Sequence, residues 1–448
     1  MAEQTPAAPR RQLTLFDSTS MIVGIIIGSS VYVTAPTIAS CVPDTFSFLL
    51  VWLLGGAFAL VGSLCYAELA TALPADGGDY VYLSRAYGRP VGFLFAWCEL
   101  WLVRPGAIGS LAYVFAQYAE QILPLGPHSA VIYAAGAAAA ITGINLLGVV
   151  AGKWTQNILT LAKLLGLIAV VAIGFSAAAP PLEQAADAPR PASDWGLAMI
   201  FILYAYGGWN DMAFVSAEVR DPERNILRAL VLGTLAVTGI YLLVNASFVH
   251  ALGIDGVRGG QALAAEVVER RWPWGAKAVS VLVAVSALGA VNGMTFTAAR
   301  IYYALGARHR LFAPLGVWNA RFEGPIRALL LQGAVTFALI VVVGLPAHGA
   351  AQEGFQRMAN FTFPPFWFFL LLVGVAVIVL RVREPDLARP YRTVAFPLFP
   401  AIFCAGAGYM FLRSLLYAHQ SFAPQALWTL AALAVGIIAC IVDWFYSP

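Results

Sequence analysis

The polar and conformationally special residues of this chain gather at a few points inside long apolar runs. Two of these points are glycine-bearing breaks, Ile25-Ile26-Ile27-Gly28-Ser29-Ser30-Val31-Tyr32 and Tyr204-Ala205-Tyr206-Gly207-Gly208-Trp209-Asn210. Where a helix is interrupted, the second half begins with free N–H groups and a positive dipole end, and the first half ends with free carbonyls and a negative one. Such a pair suits a zwitterion. A carboxylate would sit on the N–H groups near Gly28, Ser29 and Ser30, and an ammonium on the carbonyls near Ile26 and Tyr204. Glycine lets a ligand approach backbone that a Cβ would cover. The competing role for Gly28, Gly207 and Gly208 is close helix packing. Two interruptions at matching places in two halves of a chain favour a binding site at the middle of a membrane.

Lys163 is the second candidate. It lies about 15 Å along its helix at 1.5 Å per residue, too deep to reach the interface. Two functional roles fit: a fixed ammonium standing where a bound sodium ion would be, or a proton carrier. A structural charge paired with carbonyls is the third reading. Glu99 and Arg104, five residues apart, could pair across helices or face a water-filled vestibule. Asp211 follows the second break, where it could feel the cavity or cap a half-helix. Asp17 and Glu68 sit near span ends, as loop or gate contacts. Ser286 and Asn292 interrupt another apolar run and suit interhelical hydrogen bonding. Tyr204, Tyr206 and Trp209 stand out among many aromatics only by lying at a break, where a ring could close over a ligand.

The elements that must position these groups are membrane spans. Of 448 residues 60% are hydrophobic and only 11% charged, against about a quarter charged in soluble domains. Apolar stretches long enough to cross a bilayer recur from end to end. Twelve are expected, at about 13–38, 45–72, 87–122, 129–149, 154–178, 195–219, 225–251, 274–305, 326–346, 355–380, 395–417 and 425–446. If the N-terminus is cytoplasmic, 17 of the 26 Lys and Arg fall on the inside and 7 on the outside. The positive-inside rule then places both termini in the cytoplasm. Residues 1–12 are a short tail, and 13–448 one transmembrane domain. Residues 179–194 read as a polar external loop and 256–273 as an external surface helix. The five Cys have no metal-ligand spacing, and no catalytic pair or metal cluster is apparent, so neither enzyme activity nor a cofactor nor a metal is expected. No loop has room for a signalling domain, and no continuous polar stripe marks a channel.

These motifs resemble those of the amino acid–polyamine–organocation (APC) superfamily, and within it the L-type amino acid transporter (LAT) branch with its bacterial relatives. Gly24 to Val33 looks like the family's first-helix Gly-Ser-Gly break, and Tyr66 to Tyr80 is similar to the loop after helix 2. Arg104-Pro105, the run from Asn145 through Gln156 to Lys163, and Ala205 to Asn210 followed by Glu218 to Asn225 resemble helices 3 to 6. Asn292-Gly293 with Arg300 resembles helix 8, and Leu380-Arg381 through Pro385 with Arg389-Pro390 the loop after helix 10. The likeness covers about residues 13–400.

The resemblance implies an all-α polytopic membrane protein of twelve transmembrane helices with a leucine-transporter-like 5+5 inverted repeat. The repeats would be about 13–178 and 195–380, helices 1 and 6 broken, and the helices of 395–446 additional. It implies substrate carboxylate contacts on Gly28, Ser29 and Ser30, and ammonium contacts on the carbonyls of Ile26, Tyr204 and Gly207. Asn210 and Ser286 fall on polar positions near the site, and Tyr204, with Trp209 beside it, on an aromatic gate. Lys163 occupies the place of a cation in sodium-coupled relatives. The implied function is sodium-independent amino acid exchange by alternating access in a bacterial inner membrane. Proton symport through Lys163 is the alternative, with polyamine transport or a non-transporting sensor behind it. Two departures matter. Ser30 stands at the third position of the Gly-Ser-Gly break, so its Cβ narrows the pocket or shifts the carboxylate. The loop Leu123 to Ser129 lacks the Cys that tethers an ancillary glycoprotein in animal LAT proteins, so no disulfide-linked partner is expected. The expected partners are an amino acid substrate and the lipid bilayer, with no nucleic acid.

Overall fold

A computed structural model describes residues 10–28, 30–177, 193–260, 262–345, 351–421 and 423–446. Most of the described apolar stretches are helical: α1 Leu15–Ile26, α2 Ser30–Val33, α3 Ala35–Ser40, α4 Thr45–Ala72, α5 Asp79–Tyr87, α6 Arg89–Cys98, α7 Arg104–Ile122, α8 Ser129–Leu146 and α9 Val149–Ser176. There follow α10 Trp195–Ala205, α11 Pro222–Gly259, α12 Leu263–Glu269, α13 Gly275–Arg308, α14 Ile326–Gly344, α15 Ala351–Arg383, α16 Leu398–Ser421 and α17 Ala423–Tyr446. Among the described residues, 10 helices are long and apolar enough to cross a membrane.

Two expected spans are not among those ten. The sixth, 195–219, divides at Tyr206–Gly208 into α10 and a 3₁₀ segment, Trp209–Glu218. The twelfth, 425–446, lies within α17, helical over Ala423–Tyr446. The expected surface helix 256–273 also divides. Gly253, at φ +72°, kinks α11, whose last turn and the separate α12 share that stretch. The fifth span starts earlier than expected, because Gly148 at φ +113° ends one helix and opens the next. Most of the loop 179–194 lies outside the described residues.

The helix starts follow local chemistry. Thr14 and Asp17 cap α1 reciprocally: Thr14 Oγ1 accepts from the Asp17 N–H at 3.2 Å and Asp17 accepts from the Thr14 N–H at 2.9 Å, the capping-box arrangement. Asp44 and Asp194 accept the N–H groups of Ser47 and Leu197 at the starts of α4 and α10. α9 shows how the helices divide their faces. Gln156, Thr160, Lys163 and Leu167 are buried at three- and four-residue spacing, while Ile158, Leu161, Leu165 and Ile168 are each more than half exposed. An apolar outer face over a polar inner one fits lipid as the solvent. The chain is a multi-pass integral membrane protein.

α1 lies at the centre, packed on α9, α11 and α13, while α7 packs on α13 and α15. At the end of the bundle where α1 starts, charges are paired across elements. The Gln12 and Leu13 N–H groups donate to the Glu218 carbonyl, and Arg220 N–H donates back to Leu13. Glu68 takes Arg381 at 2.6 and 2.7 Å. Glu218, after the 3₁₀ segment, takes Arg300 of α13 at 2.6 and 3.2 Å. Arg85 holds the Glu384 carboxyl below the usual carboxylate range through its hydrogen bond.

Burial decides which of these pairs matter. Arg300→Met leaves the 1%-exposed Glu218 carboxylate without its partner and is expected to cost about 3–5 kcal/mol. Arg10→Ala removes a pair whose arginine is 78% exposed and should cost less than about 1 kcal/mol. Thermal unfolding of the two purified variants in detergent checks the ordering.

Candidate functional site

The break between α1 and α2 leaves carbonyls that a continuous helix would have satisfied. Three side chains from three other helices collect them. Lys163 Nζ of α9 donates to the carbonyls of Gly24, Ile27 and Ser286 at 2.8, 2.7 and 3.0 Å. Those are three acceptors for the three protons of an ammonium. Ser286 Oγ of α13 lies 3.0 and 2.9 Å from the Ile27 and Gly28 carbonyls. Tyr241 OH of α11 lies 2.9 Å from the Ile26 carbonyl and 3.1 Å from that of Ala205 at the second break. Small residues make room: a Cβ on Gly289 would stand 2.8 Å from Lys163 Nζ, and one on Gly24 would strike Gln156 and Thr160.

The second break is built differently. Gly208 adopts φ +115°, open to glycine without strain, and a Cβ there would stand 2.7 Å from Ile25. The turn closes partly on itself, Gly207 N–H donating to the Tyr204 carbonyl at 3.1 Å, as Gly28 N–H donates to Ile26 at 2.8 Å across the first break. Between the breaks lies a cavity of about 90 Å³, lined by Ile25, Ile26, Gly28, Ser30, Ala107, Ser110, Leu111, Tyr204, Gly207, Met294, Ala359, Thr362 and Phe363. By the same measure a water needs about 10–15 Å³, so the space suits a small molecule. None of these lining side chains is charged.

The structure brings together Ile26, Gly28, Ser30, Tyr204 and Gly207 at this cavity, with Lys163 and Ser286 directly behind the α1 break. Ser29 lies outside the described residues. Ser30 Oγ sits 3.4 Å from both the Ala205 carbonyl and Tyr241 OH. Tyr204 packs edge-on against Phe363 at 5.4 Å, so two rings meet at the cavity wall. Asn210 and Trp209 line a smaller cavity with Tyr206 and Phe366. Trp209 packs on Tyr66 and Phe403 at 5.0 and 5.8 Å.

The charges after the second break form one buried network. Arg104 reaches Asp211 through both terminal nitrogens, at 2.6 and 2.8 Å, and Glu99 through Nε at 2.6 Å. Thr297 Oγ1 of α13 donates to Asp211 at 2.9 Å. The five-residue spacing of Glu99 and Arg104 is explained by a π-helical turn, Glu99–Val103, between α6 and α7, since i→i+5 winding puts such residues on one face. Spacing along the chain pairs these two charges but cannot show Asp211, which comes from another span. Sequence reasoning also passed over Tyr241, a lone hydroxyl in an apolar run that nothing marked among 17 Tyr.

Two broken helices border this small cavity without charged lining, their freed carbonyls held from neighbouring spans, in a multi-pass membrane protein. The family profile described as amino acid permease matches residues 13–440, and the chain belongs to that family. It is a permease, not an enzyme. It is similar to the human b(0,+)-type amino acid transporter 1, 29% identical over 392 residues, 86% of this chain and 78% of the relative. To the serine/threonine exchanger SteT of Bacillus subtilis (strain 168) it is 26% identical over 430 residues, 95% and 96% of the two chains. The human large neutral amino acids transporter small subunit 2 is 28% identical over 413 residues, 89% of this chain and 75% of the relative.

The carbonyl clamp predicts a graded loss of stability. Ser286→Ala removes one hydroxyl donor and should cost about 1–2 kcal/mol, whereas Lys163→Met strips three buried carbonyls of a charged donor and should cost at least about 3 kcal/mol. Chemical unfolding in detergent reads both.

Proposed function

We propose that this chain is a sodium-independent amino acid transporter that works by alternating access and exchanges one amino acid for another across a bacterial inner membrane. The observation that carries this reading is the Lys163 ammonium in the angle between the α1 break and α13, hydrogen-bonded to Gly24, Ile27 and Ser286. A fixed positive charge there repels a sodium ion and does the work of holding unwound backbone that a bound cation would do. The amino acid carboxylate is assigned to the backbone around Gly28, Ser29 and Ser30. The ammonium is assigned to the carbonyls of Ile26, Tyr204 and Gly207, with Asn210 a polar neighbour and Tyr204 and Trp209 the gating rings. A Cβ on Gly28 would meet Leu111 and Ala290 only at 3.5 and 3.7 Å, ordinary contact, so helix packing does not demand glycine there. Ligand access to the backbone is the role this reading gives it.

In this reading the twelve spans form a 5+5 inverted repeat with two added helices, and both termini are cytoplasmic. No disulfide-linked subunit takes part. A cavity of about 90 Å³ without charged lining suits small neutral amino acids. The exchange mode agrees with the name of the bacterial relative, a serine/threonine exchanger.

Purified protein in liposomes tests the proposal. Labelled amino acid should enter vesicles loaded with unlabelled amino acid, with no requirement for sodium and no drive from a pH gradient. Uptake into empty vesicles driven by external acid would replace exchange with proton symport. A sodium requirement would remove the assigned role of Lys163. Ser30→Gly, by clearing the Cβ and hydroxyl from the cavity wall, should shift preference toward larger neutral amino acids on the order of tenfold, read as the ratio of competing substrates.

A further inference from the structure

The loop between α4 and α5 and the first residue of α5 carry two aspartates, Asp76 and Asp79, that the transport reading does not use. The loop is docked tightly. Gly77 N–H donates to the Phe214 carbonyl at 3.1 Å, and Ser216 Oγ donates to the Ala75 carbonyl at 3.1 Å. Gly78, at φ +39°, sits so close to the 3₁₀ segment that a Cβ would stand 2.7 Å from the Ala213 carbonyl carbon. Docking presses Asp79 into the interior, where it is 3% exposed. One carboxyl oxygen, Oδ2, accepts from Tyr66 OH at 2.9 Å. The other, Oδ1, is buried with no hydrogen-bond partner.

The charges around it do not balance. Facing Asp79 are Glu99 and Arg104 from the α6–α7 span and Asp211 from the 3₁₀ segment, with Tyr66 of α4 and Tyr82 of its own helix beside it. Arg104 already gives three N–H groups to Glu99 and Asp211. One guanidinium therefore stands against three carboxyl groups. An ionised carboxylate with a bare oxygen is strongly disfavoured in such a place. A proton on Oδ1 removes the charge while Oδ2 keeps its bond to Tyr66. Lys163 is no alternative neighbour, being spent on three carbonyls of α1 and α13.

We propose that Asp79 is a proton-binding site, neutral while the loop is docked, and that loss of this proton releases the loop from the 3₁₀ segment. Burial pushes the Asp79 carboxyl well above the usual range. Asp76, nearby on the loop, is pushed up to about 8 by burial and by Glu218, with Arg300 opposing. The sign follows. Docked loop binds a proton that exposed loop does not, so between the ordinary aspartate range and the docked value, docking weakens about tenfold per pH unit for each such proton. Alkaline solution on the side where α1 starts therefore favours opening there. This holds whatever amino acid is carried, and the test does not involve transport.

Infrared spectroscopy of the purified protein, in a detergent without ester carbonyls, reads the group directly. At neutral pH the protein should show the carbonyl stretch of a protonated carboxylic acid that shifts in heavy water. Asp79→Asn should remove the component of the band that Tyr66→Phe moves to higher frequency, where the Oδ2 carbonyl loses its donor, whereas Asp76→Asn should leave that component in place. If Asp79→Asn does not fold, the Tyr66→Phe shift decides. Absence of any such band in the unaltered protein, or a band that neither Asp79→Asn nor Tyr66→Phe changes, overturns the proposal.

Discussion

Backbone that leaves a helix inside an apolar environment must find partners, and the arrangement around α1 is the answer this chain gives. Each unpaired amide or carbonyl would cost several kcal/mol in hydrocarbon. Lys163, Ser286 and Tyr241 come from α9, α13 and α11 to meet the carbonyls of the first break, and Tyr241 touches the second break as well. The central position of α1 follows, since only a helix surrounded by others can be served from three sides. The break is thus affordable because of the packing, and the packing is organised by the break.

What this leaves is a pair of helix ends joined to the rest of the bundle by side-chain bonds, not by continuous helix. The short bonds across each break, Gly28 to Ile26 and Gly207 to Tyr204, are of a local kind that a bound molecule can exchange for its own. Segments tied by few such bonds can pivot while long neighbours such as α4 and α13 stay intact. At the end where α1 starts, the buried pairs Arg300–Glu218 and Arg104–Asp211 fasten α13 and α7 to the 3₁₀ segment. Motion of that segment must break or carry these pairs, so the charges are fasteners of a particular conformation and not only anchors of the fold.

Much of this was legible in the residues because membrane constraints are strict. Apolar length marked ten of the spans, and the depth of Lys163 in its run marked it as special. The glycine pairs announced the breaks, though not that Gly208 needs a left-handed backbone while Gly28 does not. The 3₁₀ winding of Trp209–Glu218 carries no simple sequence pattern, and the partners that hold its Asp211 and Glu218 lie far along the chain, on α7 and α13. The pairing of Glu99 and Arg104 needed a π-turn that a 3.6-residue reading cannot supply. Asp79 looked like loop chemistry because Asp-Gly-Gly-Asp is ordinary turn sequence. Only the docked loop shows that it is buried. For Trp209 the sequence shows only a ring at the break that could close over a ligand, and its packing on Tyr66 and Phe403 beside a small cavity is visible only in the folded chain.

The central claim is that backbone at the two breaks recognises both charged ends of an amino acid. Binding of alanine to the purified protein by titration calorimetry, set against ethylamine and propionate, tests it most directly. Each analogue keeps one charged end and lacks the other. Alanine should bind, and both analogues should be at least about a hundredfold weaker, as loss of a charge-assisted contact worth a few kcal/mol requires. Either analogue binding as tightly as alanine would show that the unwound backbone does not read the zwitterion.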